Sequence, residues 1–319
     1  MHIEEIRKIG VIGAGLMGHG IAQEFALAGY DVYLQDVNGG RLREAEGNIR
    51  TNLAKLAELG AITEAQAEAA LGRVRTGTVL AEAGRDADVI IEAVFEDLTL
   101  KQEIFRELDG LCPERTILAS NTSTLLPGRL ASATNRPDRV LVAHYFNPPF
   151  LLPLVEIVRH AQTSDETVRT LFTLLEKTGK TPVIVQKEVP GFVGNRLQAA
   201  LFREAISIVE QGIASAHDVD IVVRNGFGRR LAAAGVFEIW EIAGWDLILA
   251  ICTNLFPHLD NAAGAPSLLR EMVARGELGT KSGKGFYEWD AASILALKNR
   301  IARTLVTIER ERNKPAGER

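Results

Sequence analysis

Residues 8–36, KIGVIGAGLMGHGIAQEFALAGYDVYLQD, constrain this chain more than any other stretch. Ile9 to Ile12 is a short, apolar, β-branched run, after which Gly13, Gly15 and Gly18 interrupt the pattern. From Leu16 to Leu27 the apolar positions recur at helical spacing and Ala-Gly closes the helix. Tyr30 to Leu34 predicts a second strand, ending at Asp36. A strand, a glycine turn, a helix and a further strand make a βαβ unit. In that context G-x-G-x-x-G has a mechanism: Gly13 permits the tight turn, Gly15 admits a pyrophosphate to the backbone, and Gly18 lets helix and strand pack closely. The N–H groups and positive dipole end of the helix then favour a diphosphate. The turn residues Gly13, Ala14, Gly15, Leu16, Met17 and Gly18 are therefore expected to hold a dinucleotide. Asp36 can accept both ribose hydroxyls of NAD and would repel the 2′-phosphate of NADP.

The rest of the chain extends this unit and then departs from it. Helices are predicted from about Gly40 to Leu59 and from Thr63 to Leu71. Buried-strand candidates follow at 87–94, 116–120, 139–146, 153–158 and 181–186, several of them separated by helical segments. Strands alternating with helices imply a largely parallel sheet. After Pro190-Gly191 strand patterns disappear; Phe192 to Gln211 is amphipathic, and 231–260 is rich in Ala, Ile, Leu and Trp. The expected fold class is α/β: a Rossmann-type doubly wound parallel sheet over 1–188, followed by an all-helical C-terminal domain over 189–319. A last helix, about Ala292 to Arg312, carries Ile294, Leu297, Ile301, Leu305 and Ile308 on one side, a stripe for its own domain or a neighbouring subunit. The tail NKPAGER is expected to be disordered. There is no internal repeat.

Composition narrows the function. The chain has 319 residues, enough for two domains of ordinary size, and is 46% hydrophobic and 24% charged. A net charge of −5 leaves no basic excess for nucleic acid. Two cysteines, Cys112 and Cys252, exclude a disulfide framework and point to a reducing compartment. No apolar run approaches the roughly 18 residues of a membrane span, and the opening MHIEE is unlike a signal peptide. No His, Cys or Asp cluster has metal-ligand spacing, so no metal is expected. The expectation is a cytoplasmic enzyme with no nucleic-acid or membrane partner.

Catalytic residues concentrate between Ser120 and Val158, in SNTSTLLPGRLASATNRPDRVLVAHYFNPPFLLPLVEIV. Its single histidine, His144, ends an apolar strand, with Asn147 and the stiff pair Pro148-Pro149 just beyond. Glu156 sits inside the next apolar strand, where a carboxylate is costly unless it is paired. A His–Glu pair supplies what hydride removal from an alcohol needs: the imidazole takes the hydroxyl proton and the carboxylate orients the ring and balances the imidazolium. Singly, each has a plain structural alternative, a satisfied core histidine or a rim carboxylate.

Taken together, the segments VIGAGLMGHGIAQ, EAVFEDLTLKQEIF, ILASNTSTL, HYFNPP, LVEIV, GFVGNRL and LGTKSGKGFYEWD closely resemble the L-3-hydroxyacyl-CoA dehydrogenase family over nearly the whole chain. The resemblance implies a His144–Glu156 dyad, with Ser123, Asn147 and Asn195 binding substrate oxygens and holding the nicotinamide region. It also implies cofactor contacts from Glu96, Lys101 and Lys281, a helical domain that shapes the substrate cleft and forms a homodimer, and a place in fatty acid metabolism. The family divides between acyl-CoA substrates and small free hydroxy acids, the latter in the L-gulonate 3-dehydrogenase and lambda-crystallin branch. Towards a short-chain hydroxyacyl-CoA such as 3-hydroxybutyryl-CoA point FNPP, the tail LGTKSGKGFYEWD and Lys55, which matches a position meeting CoA phosphates. Leu59, where a second basic residue would stand, and NGFGRRLAAAGVFEIWEIAGWD point the other way, with Arg229 and Arg230 available to a free carboxylate. A non-catalytic, crystallin-like protein is the third alternative, and the presence of Ser123, His144, Asn147, Glu156 and Asn195 argues against it.

From Asp36 alone, the protein should use NAD in preference to NADP. Comparing kcat/KM for the two cofactors tests this; equal efficiency would remove the role assigned to that carboxylate.

Overall fold

The computed structural model describes residues 3–312; the tail 313–319, expected to be disordered, lies outside the described residues. By its internal contacts the chain divides into two units, residues 1–195 and 196–319. The first unit runs β1 (Lys8–Ile12), α1 (Gly18–Leu27), β2 (Asp31–Gln35), α2 (Gly39–Glu58), α3 (Glu64–Arg73), β3 (Val74–Gly77), α4 (Leu80–Gly84) and β4 (Val89–Glu92). It continues with α5 (Leu98–Leu111), β5 (Ile117–Ser120), α6 (Pro127–Ala131), β6 (Val140–Tyr145), β7 (Leu154–Val158), α7 (Asp165–Lys177) and β8 (Thr181–Val185).

The strands form one sheet in the order β3-β2-β1-β4-β5-β6-β7-β8. From β3 to β6 all neighbours are parallel; β7 pairs antiparallel with β6 and parallel with β8. Both faces are covered, which is why the central strands read as unbroken apolar runs. Alternate residues of one strand enter different cores. Ile9 and Val11 of β1, Val89 and Ile91 of β4, and Ile117 and Ala119 of β5 join one cluster with Ile21 and Phe25 of α1, Ile49 of α2 and Leu171 of α7. Ile12, Ile90 and Leu118 point the other way, to Phe105 and Leu108 of α5 and Leu130 of α6.

Strand β3 was not visible in the sequence. VRTG is an edge strand, half-exposed, so only Val74 needs to be apolar. The expected boundary near residue 188 also differs from the contact-based division after Asn195. Phe192 is 1% exposed and packs with Val142, Val158 and Val185, which keeps the segment after Pro190 with the sheet.

The second unit is helical: α8 (Gly194–Glu210), which starts at the division, α9 (Ala216–Asn225), α10 (Phe227–Leu231), α11 (Val236–Ala243), α12 (Trp245–Leu255), α13 (Ser267–Ala274) and α14 (Ala291–Arg312). It keeps much apolar surface open, including Phe237, Trp240, Ile242, Trp245, Leu249 and Phe256. On α14 only Val306 is buried, while Ile301 stays exposed. None of the described helices is long and apolar enough to cross a membrane.

The strand order reverses direction at β1, which opens a crevice at the carboxyl ends of β1 and β4. The turn that borders it is tight. Gly13 has φ +98°, and a Cβ there would lie 2.7 Å from the Ala93 carbonyl oxygen. A Cβ on Gly18 would lie 1.7 Å from the Gly13 carbonyl oxygen. Gly18→Ala should therefore force the turn apart, at a cost of about 1–3 kcal/mol or more for overpacking. Thermal denaturation should show the lower midpoint and NADH titration the lost affinity; wild-type values in both would mean that the turn is not closed in this way.

Candidate active site

The crevice beyond β1 and β4 is a cleft of about 730 Å³, lined by Gly13, Gly15, Leu16, Met17, Asp36 and Arg41 among others. A Cβ added to Gly15 meets nothing, so the backbone there faces open space of the kind a pyrophosphate requires. Ala14 is buried, and its N–H donates to Asp36 Oδ2 at 3.0 Å. Asp36 Oδ1 accepts the Asn38 N–H at 2.9 Å. The carboxylate, 6% exposed, is thus fixed at the end of β2 with acceptor capacity left on each oxygen. These residues fit a dinucleotide with free ribose hydroxyls, and the protein binds NAD. Arg41, the first basic residue after Asp36, lies 4.8 Å over the Phe95 ring on the wall of the same cleft. An isolated arginine in the first turn of a helix carries no signal for such a place.

At the ends of the central strands the second half of the site assembles. His144 and Glu156 are directly opposite on antiparallel β6 and β7. His144 Nδ1 lies 2.8 Å from Glu156 Oε2, and Nε2 lies 3.1 Å from Ser123 Oγ. Glu156 Oε1 accepts the N–H groups of Val193 at 2.9 Å and Gly194 at 2.8 Å. Two residues of positive φ, Gly191 at +78° and Phe192 at +50°, turn the chain so that both donors meet that one oxygen. Phe192 is not glycine, and a bulky residue in this region is strained, a feature that gathers at functional sites. Burial alone would raise the Glu156 pKa, but the bonds from His144, Gly194 and Val193 outweigh it and hold the carboxyl below its ordinary value of 4.5. Ionised Glu156 accepts Nδ1–H, which leaves Nε2 as the nitrogen facing Ser123 Oγ.

Other predicted residues fall around this centre. The Asn195 amide donates to the Ser123 carbonyl at 3.3 Å. Asn147 is exposed just past β6. Glu96 lines the cleft and accepts the Thr122 hydroxyl, the Thr124 hydroxyl at 2.7 Å, and the N–H groups of Ser123 and Thr124 at 3.2 and 3.1 Å. It is therefore the clamp on the loop that carries Ser123. Burial would raise its pKa, yet the two threonine hydroxyls and Lys101 hold it below the ordinary carboxylate value.

Lys101, expected to contact the cofactor, is 1% exposed and turned inward, 2.7 Å from Glu92 Oε1, 3.3 Å from the Val94 carbonyl and 3.5 Å from Glu96 Oε2. Glu92, wholly buried at the end of β4, needs that cation, and Lys101 links it to Glu96 on the cleft wall. Lys281 is exposed in the second unit, as are Arg229 and Arg230 on α10. Lys55 on α2 pairs with Glu58 at 2.8 Å. No group of three or more metal-ligating side chains occurs among the described residues.

An imidazole held by a buried carboxylate, a hydroxyl at its other nitrogen, and a dinucleotide cleft are the parts needed to oxidise an alcohol. The class is that of NAD-dependent oxidoreductases acting on CH–OH.

Family models sharpen this. Residues 8–189 match the NAD-binding domain, and 191–289 the C-terminal domain, of 3-hydroxyacyl-CoA dehydrogenase. The chain is 40% identical over 287 residues to a probable 3-hydroxybutyryl-CoA dehydrogenase of Bacillus subtilis, covering 90% of this chain and 98% of that one. It is 33% identical over 305 residues to the 5-formyl-3-hydroxy-2-methylpyridine 4-carboxylate 5-dehydrogenase of Mesorhizobium japonicum, covering 96% and 98%. A crystal structure of an enzyme of that activity, an NAD+-dependent dismutase, matches with TM-score 0.90 at 33% identity, covering 96% of this chain and 98% of that one. The (S)-3-hydroxybutyryl-CoA dehydrogenase of Ralstonia eutropha matches with TM-score 0.73 at 35% identity, covering 90% and 100%. The chain belongs to the 3-hydroxyacyl-CoA dehydrogenase family.

His144→Gln should lower kcat by about 10²–10⁴-fold while NADH affinity survives, the range general acid–base catalysis covers. Because His144 and Glu156 act as a unit, a double variant with Glu156→Gln should be little worse than the poorer single one. A depressed carboxylate pKa adds stability that is fully present above 4.5 and fades as pH falls through the lower folded-state value. The stability gap between wild type and Glu156→Gln, measured by denaturant titration, should accordingly shrink in that acid window. A gap that widened there would contradict the hydrogen-bonded carboxylate.

Proposed function

We propose that the protein oxidises the 3-hydroxyl of a short-chain (S)-3-hydroxyacyl-CoA and, in reverse, reduces the 3-keto form. The carrying observation is the chain Ser123–His144–Glu156, with Nε2 turned away from Glu156 and 3.1 Å from Ser123 Oγ. Bound NAD supplies the hydride acceptor. Ser123 holds the substrate oxygen, His144 takes its proton at Nε2, and Glu156 keeps the ring oriented and balances the imidazolium. Glu96 and Asn195 fix the Ser123 loop, and Asn147 meets substrate or the nicotinamide region. Lys281 of the second unit is assigned to the cofactor. The acyl-CoA reading is supported by the 40% identity to a probable 3-hydroxybutyryl-CoA dehydrogenase and by Lys55.

A second reading, a small free hydroxy acid or related carboxylate, draws on a specific observation. Lys55 is paired with Glu58 and followed by Leu59, so a carboxylate stands where CoA phosphates would need charge relief. The TM-score of 0.90 to a dehydrogenase of a pyridine carboxylate supports it too, and Arg229 and Arg230 could take the free carboxylate. The second unit leaves many large apolar side chains exposed, and we assign them to a homodimer. A cytoplasmic location fits both readings.

NADH absorbance with 3-hydroxybutyryl-CoA, longer acyl-CoAs, L-gulonate, carnitine and a pyridine carboxylate should separate the two. Under the acyl-CoA reading 3-hydroxybutyryl-CoA should give the highest kcat/KM. Lys55→Ala should raise its KM several-fold, since an exposed ion pair contributes about 1 kcal/mol or less. A strong preference for a free acid would replace the first reading by the second.

A further inference from the structure

Lys180 is buried in the turn before β8, with 4% of its side chain exposed. Its ammonium is shared between two segments far apart in sequence. One is the carboxylate of Glu24 on α1, and the other is the loop after β6, through the carbonyls of Pro149 at 2.6 Å and Leu152 at 3.3 Å. Three partners use the three donors of an ammonium. The same loop is pressed onto α1 next to the cofactor turn: a Cβ on Gly20 would lie 2.5 Å from Pro149 Cγ. Within the loop, Leu151 and Leu152 donate their N–H groups to the Pro148 carbonyl at 3.0 and 3.1 Å.

We infer that Lys180 is a positioning residue for the reaction: it fastens the loop that carries Asn147 to the helix whose N-terminus receives the dinucleotide. Packed apolar side chains would cover this spot at no loss of stability, since a buried ion pair contributes little net stability. They could not hold two carbonyls and a carboxylate at fixed separations. The ammonium therefore sets the spacing between the substrate-side loop and the cofactor helix, and a displacement of that spacing by about 1 Å can cost on the order of 10²-fold in rate.

The test uses the full-length protein and three readouts: amide hydrogen exchange, NADH affinity and kcat. In Lys180→Met, exchange at Leu151 and Leu152 should rise about tenfold or more while the β1, β4 and β5 amides stay protected. Turnover should fall about tenfold or more while the Kd for NADH stays within about threefold, a split that general destabilisation does not produce. Glu24→Gln/Lys180→Met removes the unpaired buried charge, so its melting temperature should recover while kcat stays low and the loop still exchanges fast. This double variant carries both readouts should Lys180→Met fail to fold. Recovery of kcat together with stability, or unchanged exchange at Leu151 and Leu152, would overturn the inference and leave a merely structural ion pair. The inference uses the oxidoreductase reading only for its kinetic arm. If that reading fails, wild type turns over no substrate of the panel while the exchange result stands by itself.

Discussion

Glu156 carries an ionised carboxylate with 1% of its side chain exposed, and much of the first unit is arranged around the cost of keeping it there. Removing such a charge from water costs several kcal/mol unless donors replace the lost hydration. Three N–H groups do so here, from His144, Val193 and Gly194. They come from two structural decisions. The antiparallel pairing of β7 with β6 puts His144 opposite Glu156, where a parallel strand would follow another register. The left-handed turn at Gly191 and Phe192 brings the other two. The compensation for burial and the orientation of the imidazole are thus one set of hydrogen bonds.

A second buried network stands on the cofactor side. Glu92, Lys101 and Glu96 form a chain from the end of β4 to the loop after β5, and Glu96 ends it on the hydroxyls and N–H groups around Ser123. Ser123 is consequently held from both directions, by His144 through its hydroxyl and by Glu96 through its backbone. Two ionic networks meeting on one serine leave its side chain little freedom.

Not every ion pair carries such weight. The pair of Lys55 with Glu58 lies at the surface, well exposed on the acid side, and contributes about 1 kcal/mol or less. Family membership makes the protein an NAD-dependent oxidoreductase acting on CH–OH.

Local pattern alone determined the dinucleotide turn, the acid at Asp36, the apolar strands and the change to helices after Pro190, because turns, periodicities and glycine positions are short-range properties. The His144–Glu156 pair was also legible, since a carboxylate inside LVEIV demands a partner and His144 ends the adjacent apolar run. Tertiary structure decided the rest. VRTG became a strand because β2 offered an open edge, which no local signal in those residues announces. Lys101 turned inward because Glu92 is buried beside it, although its sequence resembles a solvated helix face. Lys180 found Glu24 and the Pro149 carbonyl across gaps that periodicity cannot bridge. Long-range ion pairs depend on which buried charges the packed core leaves facing one another, and that is settled only when the sheet and its helices close.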